Sequence, residues 1–498
     1  MRFDIKCMLL IAISLCLYTP SVFAQHTVSR IEGSNRYEVA VNAAKRGWQE
    51  APAVVLVGGD AYADALSAVP YAYQQRAPVL LTNAGSLSGA VKTVLQQLKT
   101  KRVTILGGTA SISENIVKQL KAMNLSVSRI QGKNRYELAA NVAKHMKSAS
   151  AAVVVNGSAY ADAVAIAPYA AKQGYPILLT DAKGLREETA NLLKNKVVKR
   201  TIVIGGEASV NKTVFQKLPS PVRISGANRY EVAAQIAKTY PMKTSQTFMS
   251  YGYAYADAAA AASIAAKQGQ TLLLTDAQTV PDAIRKVIGA KQISAFSVVG
   301  GTSTVQTNVI TQLKNAVLGE TIFIDPGHGA QDAGAIGNGL LEKNINLEVA
   351  LKLRSRLHQA GALTVMSRTS DTFDSLQTRV SKGAQASADI FISIHANAND
   401  NSGANGTETY YDTTYAAAHS VKLAQQVQPR MVSALGTKDR GVKTAGFYVI
   451  KYSRMPSILL ETGFVTSPID ASILKSTAAK DRLASGIATG VSNYFDVK

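Results

Sequence analysis

The alternation of apolar and polar positions divides the chain into short, nearly all-apolar runs and longer stretches with helical spacing. Ala53-Val-Val-Leu-Val57, Val79-Leu-Leu81 and Val103-Thr-Ile-Leu106 contain almost no polar position, as expected of strands buried on both faces. Between and after them, Asp64 to Gln74 and Glu114 to Met123 carry apolar residues at helical intervals and predict helices. Strand, helix, strand with Gly-Gly at strand ends predicts a parallel sheet covered by helices.

This pattern occurs three times. Arg30-Ile-Glu-Gly-Ser-Asn35-Arg36-Tyr37-Glu38 returns as Arg129-Ile-Gln-Gly-Lys-Asn134-Arg135-Tyr136-Glu137 and as Arg223-Ile-Ser-Gly-Ala-Asn228-Arg229-Tyr230-Glu231, at spacings of 99 and 94 residues. Ala61-Tyr-Ala-Asp64, Leu80-Leu-Thr82 and Gly107-Gly108 return in step, with 18 residues from Asp to Thr and 25 from Thr to the first Gly in every copy. A fixed internal period marks homologous units. No copy holds GxGxxG or a Walker lysine, so no nucleotide cofactor is expected.

From Gly319 the landmarks stop and the apolar runs end on chemistry. Thr321-Ile-Phe-Ile-Asp325-Pro-Gly-His328 and Asp389-Ile-Phe-Ile-Ser-Ile-His395 read as strands closed by a histidine, and Pro456-Ser-Ile-Leu-Leu-Glu461 as one closed by a carboxylate. Apolar residues at 341, 345, 349, 353 and 357 mark one face of a helix, with Glu342 in or just before its first turn. The predicted fold class is α/β: three tandem Rossmann-like repeat domains, 25–124, 125–219 and 220–318, then an α/β domain, 319–498.

At the amino terminus, Arg2 and Lys6 precede an apolar stretch, Cys7 to Tyr18, and Val22-Phe23-Ala24 suits a signal peptidase. Residues 1–24 therefore read as a signal peptide cleaved after Ala24. About 12 apolar residues fall short of the roughly 20 that span a bilayer, so the mature chain is expected to have no transmembrane segment. Leu15 before Cys16 does not suit lipidation.

Composition narrows the chemistry. Both cysteines, Cys7 and Cys16, lie in the signal, which leaves the mature chain without disulfides or thiolate metal sites. Any metal site must use His, Asp or Glu. Residues 25–318 carry a net charge of +18 and residues 319–498 only +2, so affinity for a polyanion belongs to the repeats. In an exported protein, anionic wall polymers or membrane surfaces fit this better than nucleic acid.

Of the six histidines, His26 lies at the mature terminus, and His145, His358 and His419 sit among polar helical residues and read as solvated. His328 and His395 close apolar runs. In a parallel sheet the carboxyl ends of strands share one edge, so His328, His395 and Glu461 are expected to converge, with Glu342 in reach. Two imidazoles and a carboxylate make a three-ligand zinc site with an open position for water, and a further carboxylate would move protons. Two hydrogen-bonded packing histidines, and a Glu342 favoured by the helix dipole, are the other reading of the same residues. In the repeats, Arg36 either pairs with Asp64 while the tyrosines pack, or Arg and Tyr face a ligand. No wall-polymer-binding residue is assigned.

Residues 25–318 resemble three tandem cell-wall-binding repeats of secreted Gram-positive proteins, which implies attachment to anionic, teichoic-acid-like wall polymers. Residues 320–498 are similar to the zinc-dependent N-acetylmuramoyl-L-alanine amidases through Asp325-Pro-Gly-His328-Gly, Glu342, Ser393-Ile-His395-Ala-Asn397 and Glu461-Thr-Gly-Phe464. The order of parts resembles the autolytic amidases of bacilli. The resemblance implies zinc on His328, Glu342 and His395, Glu461 as catalytic residue, peptidoglycan as substrate, a secreted, wall-bound enzyme, and structural roles for Arg368 and Arg379. Ala330 departs from the pattern, since a second Gly often follows His-Gly. A zinc peptidase acting within the stem peptide, and a wall-attached structural protein with a relic catalytic domain, are the competing readings.

Overall fold

The computed structural model describes residues 26–497, so the expected signal peptide and its cleavage site lie outside the described residues. The apolar runs form strands as expected. Val79–Thr82, Ala53–Gly58, Arg102–Leu106 and Ser126–Ile130 make a parallel four-stranded sheet in that order. Ile177–Thr180, Ala151–Asn156, Arg200–Ile204 and Pro221–Ile224 make the second. The third consists of Gln270–Thr275, Lys243–Tyr251, Ala295–Val299 and, from the far end of the chain, Thr27–Ile31.

The sheets are therefore offset from the period of the sequence. The opening strand of each copy completes the sheet of the copy before it, and that of the first copy completes the third. Recurring residues explain the exchange. Arg30, at the end of its strand, donates to Gly300 O (2.8 Å) and Val305 O (2.9 Å). Arg129 grips Gly107 O and Ile112 O, and Arg223 grips Gly205 O and Val210 O, in the same way. Asn35, Asn134 and Asn228 then cap the next helix by accepting from two backbone amides each. Glu38, Glu137 and Glu231 reach back to the amide preceding the cap, a reciprocal capping arrangement. The chain folds so tightly there that a Cβ on Gly132 would lie 2.3 Å from the Leu138 nitrogen.

Arg36 does not pair with Asp64. It donates to Asp60 (2.8 Å), to Gly59 O and to Tyr255 Oη of the third copy (3.1 Å). Arg229 likewise reaches Tyr160 Oη of the second (3.0 Å). Asp64 instead accepts from Ser111 Oγ, and Asp257 from Thr304 Oγ1. Arg36 and Arg229, with the tyrosines of the Tyr-Ala-Asp landmark that they meet, thus serve contacts between copies, whereas Tyr136 and Tyr230 bond Asp181 and Asp276 within their own copies. Ala-rich helices, Ala68–Gln74, Tyr160–Gln173 and Tyr255–Gln268, pack against one another at the centre, and one continuous apolar core draws on all three copies. The first of these is shorter than expected, because a separate four-residue helix, Tyr62–Ala65, precedes it.

Residues 319–498 hold a six-stranded sheet in the order Leu363–Met366, Thr321–Pro326, Ile390–Asn397, Ser457–Phe464, Thr407–Tyr411, Asp439–Thr444. All neighbours are parallel except Thr407–Tyr411 with Ser457–Phe464. Alternation sorts the faces. Ile322, Ile324, Ile390, Ile392, Ile458 and Leu460 meet the helices Glu342–Ala360, Ala417–Leu435 and Thr477–Val497, while Phe323, Phe391 and Leu459 pack on Val449 and Ile450 opposite.

The third repeat is docked on this domain through Arg285, which is 1% exposed. Its guanidinium bonds Val280 O, Ala362 O and His358 Nδ1 (3.2 Å). His358 is therefore a junction residue and not merely solvated, and burial, followed by the Arg285 charge, lowers its pKa.

Candidate active site

Strand Thr321–Pro326 delivers the chain into a tight loop at His328, Gly329 and Ala330, all with positive φ (64°, 140° and 47°). Left-handed backbone is costly for a residue with a Cβ, so the loop needs outside support. Arg368, 4% exposed, donates to Pro326 O, Gly327 O and Lys343 O. Arg379 bonds His328 O and the buried Asp325 carboxylate, which also accepts from Ser367 and Ser393. Asp371 takes the Ala330 amide at 2.8 Å. At Ala330 the left-handed backbone, more than the bulk of a methyl, sets it apart from glycine.

Glu342 is the first residue of helix Glu342–Ala360 and is 4% exposed. Its Oε1 lies 2.8 Å from His395 Nδ1 and 3.2 Å from His328 Nε2, and accepts from the Ala396 amide (3.1 Å) and Asn346 Nδ2 (3.2 Å). Its Oε2 accepts from the Ala335 amide (2.8 Å). Candidate ligand atoms of His328, Glu342 and His395 all lie within 4.8 Å of one another. Burial opposes the charge on Glu342, but the hydrogen bonds from His328 and His395 take its pKa far below the usual carboxylate range. Burial also opposes charging of His328, yet Glu342 and Asp332 outweigh it and raise its pKa. His328 Nδ1 is fixed by Asp332 Oδ2 at 2.8 Å, which orients the ring.

Glu461 lies in register with His395 on the neighbouring strand and with Glu408 on its other side. Its Oε2 is buried with no hydrogen-bond partner among the described residues. Burial first, and then the Glu342 and Glu408 charges, raise its pKa well above that of an ordinary glutamate. A carboxyl group of high proton affinity beside two imidazoles and an ionised carboxylate has the chemistry of a proton-transfer group.

The structure therefore brings together the four residues singled out by sequence. It adds three that the sequence reading missed: Asp332, Asn346 and Glu408. The first two each stand four residues beyond a recognised one, a spacing that would have found Asn346 on its helix. Glu408 shows only as a lone charge inside Thr407-Glu-Thr-Tyr-Tyr411.

Residues 322–493 match the family model described as N-acetylmuramoyl-L-alanine amidase, and 30–117, 129–215 and 223–310 each match cell wall binding domain 2. The chain is 52% identical over 495 residues to the N-acetylmuramoyl-L-alanine amidase LytC of Bacillus subtilis (strain 168), covering 99% of this chain and 100% of that one. The chain belongs to the N-acetylmuramoyl-L-alanine amidases. The solved structure of Cwp6 from Clostridium difficile superposes with a TM-score of 0.58 at 27% identity, over 94% of this amidase and 80% of Cwp6. Among the described residues no helix of the amidase is long and apolar enough to cross a membrane.

Proposed function

We propose that, as this amidase hydrolyses the bond between N-acetylmuramic acid and L-alanine in peptidoglycan, His328, Glu342 and His395 hold a zinc ion and Glu461 moves the protons. The carrying observation is the convergence of two ring nitrogens and a buried carboxylate beside the unpartnered Glu461 oxygen. The donor set of two imidazoles and one carboxylate suits zinc and leaves a position for water. Bound there, zinc supplies a Lewis acid that polarises the scissile carbonyl and brings the pKa of its water toward about 7. Glu461 takes the proton of the attacking water and delivers it to the alanine nitrogen, which leaves as an amine. Asp332 keeps the His328 ring in place, and Arg368 and Arg379 hold the loop that carries it.

In this reading the repeats, 25–124, 125–219 and 220–318, form one basic body that binds anionic, teichoic-acid-like wall polymers, and 319–498 is the catalytic domain of an exported autolysin. Several weak contacts on an insoluble polymer add to firm attachment without any one being tight. Mass spectrometry of digested peptidoglycan tests the bond cleaved. A free L-alanine amino terminus without new reducing sugar is expected, whereas cleavage between amino acids would refute the assignment.

A further inference from the structure

Beside Glu461 lies a charge cluster that the reaction does not use. Glu408, in register with Glu461, is 2% exposed and is bonded by Arg440 Nε (2.8 Å) and by Lys443 Nζ. Its other oxygen accepts from Tyr410 Oη and Asn397 Nδ2, both at 2.9 Å. Asn397 stands two residues beyond His395, so the cluster is tied to the strand that carries the candidate metal ligand. Lys443 pairs in register with Tyr410 on the edge strand. These bonds fix the cations against the floor of the site.

Two features distinguish the cluster from a structural ion pair. Charge does not balance: one carboxylate faces two cations, and Glu408 is the only carboxylate paired with either among the described residues. Exposure is also graded, with Glu408 at the bottom and the Arg440 and Lys443 side chains 29% and 39% exposed above it. Each cation keeps N–H donors beyond those given to Glu408. The hydrogen bonds hold Glu408 ionised against its burial, so it serves as a fixed counter-charge that orients the pair.

We propose that Arg440 and Lys443, positioned by Glu408, bind a free carboxylate of the leaving peptide, on the residue that follows L-alanine. The scissile amide has already consumed the muramoyl carboxyl, so the glycan side offers no anion at this point. Stem peptides carry free carboxylates beyond the alanine, within a few bonds of the amide that meets Glu461. Anchoring one would hold the amide in line while the amine leaves. The proposal rests on the reading of Glu461 as the proton-transfer residue.

The test uses the full chain and two synthetic muramoyl peptides that differ only in carrying a carboxylate or a carboxamide on the residue after L-alanine. Wild type should prefer the carboxylate by about tenfold in kcat/KM, mainly through KM. Lys443→Gln should erase that preference while still cleaving the carboxamide, and Lys443→Arg should restore it. In wild type, the released carboxylate peptide should inhibit more strongly than its carboxamide, a readout that needs no variant. Equal rates for wild type on both substrates would overturn the subsite and leave the amidase reading standing. An unchanged preference in Lys443→Gln, or loss on both substrates alike, would also overturn it. So would weaker binding to intact walls with the preference unaltered, which would assign the pair to a wall polymer. Wild type that cleaves neither peptide would sink the amidase reading and this subsite with it.

Discussion

Arg36 and Tyr255 share a hydrogen bond of 3.1 Å across 219 positions of sequence, joining the first copy to the third. Together with the strand Thr27–Ile31 in the third sheet, it closes the repeats into a ring. Arg30→Ala removes two charge-assisted bonds to Gly300 O and Val305 O, and should cost about 2–3 kcal/mol. Hydrogen exchange should show the loss in the third sheet, around 295–305, while Ala53–Gly58 in the first keeps its protection. Uniform loss across all three sheets would contradict this local assignment.

Glu461→Gln leaves the candidate ligands His328, Glu342 and His395 untouched and removes only the proton carrier. Metal content should stay at that of wild type while wall hydrolysis falls by roughly 10²–10⁴-fold. Glu342→Gln should instead lower the metal content. Retention of full activity by Glu461→Gln would show that another residue moves the proton.

Chelation should abolish hydrolysis, and zinc should restore it. Because the ligands meet only in the folded domain, zinc at 1,000 times its Kd should add about 4 kcal/mol of stability to that domain. A thermal midpoint insensitive to zinc in wild type, measured beside His328→Ala as reference, would argue for packing histidines.

Asp162 differs from its counterparts. Asp64 and Asp257 accept from Ser111 and Thr304, whereas among the described residues Asp162 has no such bond and Ser209 Oγ, at the matching position, has no hydrogen-bond partner. Burial pushes the Asp162 carboxyl up to about 6, with Arg229 opposing. The folded state therefore holds a proton that the unfolded state has released above about pH 4, and stability drains away as pH rises from about 4 to 6. Asp162→Asn should match wild type near pH 4 and exceed it at pH 7 by about 1–3 kcal/mol. A difference that does not change with pH would exclude titration of Asp162 as the cause.

If the +18 charge of residues 25–318 attaches the enzyme to the wall, binding of the full-length Glu461→Gln protein to purified walls should weaken as salt rises. Walls stripped of anionic polymers should bind it less. Salt-independent binding to both would make the charge incidental.

Much of the site was legible because strands buried on both faces leave an unbroken apolar run, so a histidine or glutamate that ends one stands out. His395 and Glu461 were visible for that reason, and Glu342 through the apolar face of its helix. The exchange of strands was not legible. A repeated landmark reports that copies are alike, but a strand buried in its own sheet and one lent to the neighbouring sheet have the same pattern. The partner of Arg36 was misread for the same reason, since Tyr255 becomes its neighbour only once the ring closes. Glu408 lay hidden because a buried charge is tolerated only with partners, and Arg440 and Lys443, 32 and 35 residues further along the sequence, become its neighbours only when their strand pairs with Thr407–Tyr411.

Thr27–Ile31 pairs with Ala295–Val299, so the earliest strand of the described chain finds its place only after almost 300 residues have been made. Closing so long a loop is entropically costly and slow, and until it happens the third sheet presents a bare edge. That sheet belongs to the repeat whose Arg285 docks the catalytic domain. The timing of folding thus places the ring's last closure beside the enzyme, and a chain cut short before residue 295 has an orphan first strand and no catalytic domain.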